Sequence, residues 1–213
     1  MTDMLYLPAG STGAWDRGLL EPLAELNLEV LDALAGAAAA LRWPWRALGE
    51  AARQRLAHCP FLLVDAAFAR PELWANLPRA GVHEALPLNS AGVGTGLGTG
   101  AGAAGAPRGP LSTPLLRRVL LFAWHLAHAN RLAACVALGM SAPCAALVAA
   151  CRFADLEALA ERRPAWIRPR WDDRPEVWQA WLAAAAQESP RALESLQLWG
   201  LQMLAAEALA RRP

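Results

Sequence analysis

The stretch that most constrains the fold is NSAGVGTGLGTGAGAAGAPRGP, Asn89 to Pro110. It has almost no side chain able to bury apolar surface and no helical or strand period. Such a composition reads as a flexible Gly/Ala-rich linker. The chain then divides into an N-terminal helical part (residues 1–88), the linker (89–110) and a C-terminal helical part (111–213). The linker also holds a formal G-x-G-x-x-G at Gly100, Gly102 and Gly105. A dinucleotide site needs a strand before those glycines and a helix N-terminus after them. Here glycine-rich coil precedes them and Pro107-Arg108-Gly109-Pro110 follows, so no nucleotide site is expected.

On either side of the linker, proline and capping residues punctuate helical periodicity. Pro22 is placed as a first-turn proline, and Leu23, Leu26, Val30, Leu31 and Leu34 follow on one helical face. That helix is predicted to reach Leu41, with a second from Pro44 to about His58. FLLVD, Phe61 to Asp65, suits either a strand or a buried helix, and Pro71 opens a short helix. Beyond the linker, helices are predicted from Thr113-Pro114, over Arg131 to Leu138 closed by Gly139, from Ser141 to about Cys151, and from Asp155 to Arg162. Asp173, followed by Arg174 and Pro175, opens a helix over Glu176 to Gln187, and Ser189-Pro190 opens the longest, to about Arg211. The predicted fold class is all-α, a helical bundle in two parts.

Hydrophobic residues are 55% of the chain, charged residues 18%, and the net charge is +1. A core is therefore available, and no strong long-range field is expected. All basic residues are arginine, a usage that a GC-rich bacterial genome explains. Without lysine there is neither a Schiff-base nor a P-loop lysine. Leu132 to Cys151 is as long as a membrane span and uncharged, but Gly139, Ser141 and Pro143 interrupt it. Two short buried helices are predicted there, with no integral membrane segment. The N-terminus lacks the pattern of a secretory signal, and Cys59, Cys135, Cys144 and Cys151 form no C-x-x-C pair. A cytoplasmic location with reduced thiols is expected.

Motifs for chemistry are few. His125 and His128 share a helix face, but Cys135 and Cys144 make no zinc knuckle with them, so no metal and no cofactor is expected. Neither a nucleophile elbow nor H-E-x-x-H occurs, and the chain is not expected to be an enzyme. Arg131 to Val148 imitates a helix-turn-helix, yet its second helix offers no side chain that reads bases. Direct nucleic-acid reading is not expected.

The densest segment is RPAWIRPRWDDRPEVWQAW, Arg163 to Trp181, with four tryptophans and four arginines. Asp172, Asp173 and Glu176 nearly balance the arginines, which disfavours a phosphate-binding stripe. Three readings stay open: a packed core, a surface for a partner protein, and a stacking platform for single-stranded nucleic acid. As a partner surface it would use Trp166, Arg168, Arg170, Trp171, Trp178 and Trp181, with tryptophan as anchor and arginine fixing orientation. The last helix carries leucines, Trp199 and Met203 on more than one stripe, so it is either buried or shared with a second chain, as in a homodimer.

Residues 133–161, AACVALGMSAPCAALVAACRFADLEALAE, resemble FlhD-type subunits of the bacterial flagellar master regulator. The resemblance lies in ALGMS, an alanine-leucine helix, a break, and DLEALAE. It implies an all-α subunit that dimerises and works with a DNA-contacting protein partner. WIRPRW (Trp166 to Trp171) and EVWQAWLAA are fainter in their likeness to SctK-type accessory proteins of type III secretion sorting platforms. That resemblance implies a cytoplasmic adaptor docked on a membrane-associated ring. Neither carries a catalytic or metal motif.

Overall fold

A computed structural model of the chain describes residues 17–37, 48–77 and 111–210. The linker of residues 89–110 and the predicted helix ends at Leu41 and Pro44 lie outside them. The described residues form nine α-helices and almost no strand, an all-α fold.

Helix α1 spans Arg17–Ala37. Leu23, Leu26, Asn27, Val30, Leu31 and Leu34 recur at helical spacing and are all buried. Pro22 lies inside this helix, not in its first turn. The position is exposed, so water can serve the carbonyl that the missing N–H leaves open. Helix α2 covers Glu50–Ala57, preceded by an extended Gly49. Helix α3, Pro71–Ala75, opens on its proline.

Helix α4, Thr113–Ala129, begins where Ser112 Oγ accepts the N–H of Leu115 at 3.4 Å. Asn130 caps α5, Arg131–Ala137, and Ser141 caps α6, Ala142–Ala149, in the same way. Gly139 between them has φ +58°, the left-handed conformation that closes a helix. Helices α5 and α6 bend by 119°, and no single helix among the described residues is long and apolar enough to cross a membrane. Helices α7 (Phe153–Arg162), α8 (Pro175–Ala186) and α9 (Pro190–Ala210) complete the chain.

Both parts contribute to one core. Helix α4 packs on α1, α5, α6 and α7, while α2 packs on α1 and α8, α3 on α6, and α8 on α9. FLLVD becomes neither a helix nor a full strand. Its last two residues, β1 (Val64–Asp65), pair antiparallel with β2 (Arg168–Pro169), Val64 facing Pro169 and Asp65 facing Arg168. Buried Asn27 fixes the approach to this pair. Its amide donates to the carbonyls of Ala57 and Phe61, and its oxygen accepts the N–H of Leu63 at 2.9 Å. Unpaired, those backbone groups would carry the full cost of desolvation.

Candidate functional site

The segment from Arg163 to Trp181 leaves α7, makes a 3₁₀ turn at Pro164–Trp166, forms β2, and turns into α8. Its centre is buried. Arg170 donates from Nε to the carbonyl of Leu62 at 2.7 Å and from Nη2 to that of Leu138 at 2.5 Å. Its backbone N–H reaches Leu63, and its carbonyl accepts the indole N–H of Trp178 at 2.7 Å. One arginine thus ties the N-terminal part to the end of α5 and the start of α8.

Trp171 and Trp181 are buried against Phe61, and buried Trp178 packs on Trp181. Trp181 meets Phe61, Trp171 and Trp178 at ring-centroid distances of 5.4, 5.5 and 5.7 Å, all tilted or edge-on, as aromatic quadrupoles prefer. Trp171 adopts φ 51°, an uncommon conformation for a bulky residue, and its indole N–H donates to Glu207 at 3.0 Å. The turn therefore aims the ring inward and fastens it to α9. Gly200 lets α9 come close enough, since a Cβ there would lie 2.5 Å from Phe61 Cζ.

An anchor for a partner protein has to be reachable. Of the six residues singled out, Arg170, Trp171, Trp178 and Trp181 are inside the core, so the partner-surface expectation narrows to Arg168 and Trp166. Arg168 is exposed and sits 3.8 Å from Asp65. Trp166 is half-buried against Trp74, ring centroids 5.7 Å apart. The sequence places all six within one segment but carries no sign of which way the chain between Arg168 and Trp171 turns.

Two hollows flank the segment. One, about 290 Å³, lies beside Arg168, Asp172, Asp173, Arg174 and Glu207. Partial burial raises the Asp172 carboxyl above its ordinary range, with Arg168 opposing and Asp173 adding to the shift. The other, about 200 Å³, lies between α3 and α7 beside Leu73, Leu77, Leu159, Arg162, Arg163 and Trp166. Residue-pattern reading of the sequence missed it, because its two walls come from separate parts of the chain.

Elsewhere, His125 stacks beside Trp124, His128 lies tilted against the same ring, and His128 Nδ1 lies 2.9 Å from the Trp124 carbonyl. No group of three or more His, Cys, Asp and Glu suited to a metal occurs among the described residues. Helix α6 exposes only Ala142, Pro143 and Ala146, none of which reads a base edge. On α9, Leu198 and Trp199 are 58% and 40% exposed, so this long helix is not covered within the monomer. Compared with protein-family models, with curated proteins and with solved structures, the chain has no match in any of the three.

Proposed function

We propose that this chain is a non-catalytic, cytoplasmic protein-binding subunit that uses the outer face of α9. The observation that carries this reading is the adjacent exposure of Leu198 and Trp199. Two large apolar side chains held in water on a rigid helix mark an interaction site.

The face also has an order of sizes. Leu198 and Trp199 come first, then Gln202, then Ala205 and Ala206, all exposed. A second copy placed antiparallel about an axis at Gln202 sets Leu198 over Ala206 and Trp199 over Ala205. Large side chains then meet small ones, and the two Gln202 amides can each donate to and accept from the other. Trp199 is only 40% and Leu198 58% exposed, so about 100 Å² of each is left to bury, and two copies of this face stay below the roughly 1,200 Å² of a standard interface. The dimer should therefore depend on concentration.

The resemblance of residues 133–161 to FlhD-type subunits supports a regulatory role in a transcription complex. An uncharged α6 suits a subunit whose partner, not itself, contacts DNA. The alternative is the adaptor of a secretion assembly implied by the SctK-type resemblance.

Sedimentation velocity of the full chain over a range of concentrations tests the dimer. The wild type should gain mass with concentration, and Leu198→Ser/Trp199→Ser should stay monomeric while keeping a cooperative thermal transition, lowered by the packing that the two side chains lose. Dimerisation that this double variant retains would overturn the use of α9. Proteins that co-purify with the wild-type chain then separate the two roles: a DNA-binding regulator fits the first, a secretion-ring component the second.

A further inference from the structure

We infer that the groove between α3 and α7 is a docking site for an acidic, amphipathic segment of another protein. The inference rests on the reading that the chain binds proteins, but on a different surface from α9.

The floor of the groove is apolar, from Leu73, Leu77, Leu159 and Trp166, with Asn76 and the Arg152-paired Asp155 also on its wall, and its volume is about 200 Å³. That is below the roughly 300–1,000 Å³ of small-molecule sites. It suits one large side chain inserted from a helix or an extended peptide.

The rim supplies the charge. Arg162 and Arg163, at the end of α7, are both exposed. The acidic residues of α7 are already engaged. Asp155 accepts from the N–H, Nε and Nη2 of Arg152, and Glu157 and Glu161 pair with Arg117. Among the described residues no carboxylate lies within ion-pair distance of Arg162 or Arg163. Two unpaired guanidinium groups beside an apolar hollow complement a segment that carries carboxylates about one helical turn from an apolar anchor. Nucleic acid fits less well. Two arginines make a short phosphate track, and Trp166 is packed on Trp74 as a wall instead of standing free for a base.

The test is selection of a displayed library of random twelve-residue peptides on the full-length chain. A labelled single-stranded oligonucleotide is titrated in parallel. Enriched peptides should combine a leucine or aromatic residue with Asp or Glu three or four positions away. Their Kd, measured by fluorescence anisotropy, should rise about tenfold or more in Arg162→Glu/Arg163→Glu. Ala158→Trp, which fills the hollow without changing charge, should abolish binding and keep the wild-type thermal transition. Three outcomes would overturn the proposal: no enrichment, enriched peptides indifferent to both variants, or tight oligonucleotide binding lost with the arginines. Because α9 is tested by sedimentation, a monomeric chain that still selects acidic peptides would remove the dimer and leave the groove.

Discussion

Arg170 donates from its guanidinium to the carbonyl of Leu62, 108 residues earlier in the chain, at 2.7 Å. A charge is thus spent on backbone carbonyls inside the core, where it holds two parts of the sequence in register. Arg170→Met should leave the carbonyls of Leu62 and Leu138 without this donor. The expected loss in urea unfolding is about 1–3 kcal/mol for each buried carbonyl left without a donor, about 2–6 kcal/mol for the two. Arg170→Lys should not restore it, because one ammonium cannot reproduce a planar fork that reaches two carbonyls. Arg168→Ala, at the exposed and loosely paired neighbour, should stay within about 1 kcal/mol. Equal losses at the two arginines would contradict this division.

Gly200 and Gly139 should each resist alanine, for different reasons. In Gly200→Ala the new Cβ would meet Phe61 Cζ at 2.5 Å and Trp181 Cζ2 at 3.0 Å. Helix propensity favours the change by about 1 kcal/mol, but overpacking costs about 1–3 kcal/mol. Packing should win, and thermal unfolding should show a lower Tm. Gly139 has φ +58° and leaves 3.1 Å between a Cβ and Arg170 Nη1. Gly139→Ala should therefore lower the Tm through both backbone strain and displacement of Arg170. A Tm raised by either change would refute the corresponding contact.

The division between legible and illegible features follows the range of the forces. Ser112, Ser141 and Ser189 act on N–H groups three residues away, so helix starts could be read from neighbours alone. The left-handed glycine at Gly139 is equally local. Pro22 misled because its exposed position tolerates a proline inside a helix. The pairing of Asp65 with Arg168 and the anchoring of Arg170 on Leu62 depend on how distant segments meet, and no local period encodes that. For the same reason density could single out the tryptophans but not their direction. An arginine-rich, tryptophan-rich segment looks alike in one dimension whether its rings face water or Phe61.

The four cysteines should differ sharply in reactivity. Burial pushes the Cys59 thiol up to about 12, against a weaker opposing hydrogen bond from Gln197. Cys144 is fully buried and its pKa is also raised, mainly by desolvation. Thiolate is the reactive form, so neither should react with Ellman's reagent near about pH 8 in the folded chain. Cys135 and Cys151 are half-buried and should be modified first, Cys135 slowed by the rise that burial imposes on it. Peptide mass mapping after a short exposure would assign the sites, and all four should react in urea. Early labelling of Cys59 or Cys144 would contradict their place in the core.

Asp172 should make the fold less stable as the pH rises. Its carboxyl is raised above the ordinary 3.8, chiefly by partial burial and further by Asp173, while Arg168 opposes the shift. In the unfolded chain it ionises at the ordinary value. The folded chain therefore holds the proton more tightly, and ionisation above 3.8 counts against folding until the raised pKa is passed. Asp172→Asn removes that titration at nearly constant shape. The stability advantage of the variant should be small near about pH 3 and grow to a plateau by about pH 7. Removing the opposing charge with Arg168→Ala should move the inflection of the parent curve to higher pH. Urea midpoints across this range read both effects. An advantage that shrinks as the pH rises would mean that Arg168 outweighs burial at Asp172, and that the hollow beside it stabilises the carboxylate.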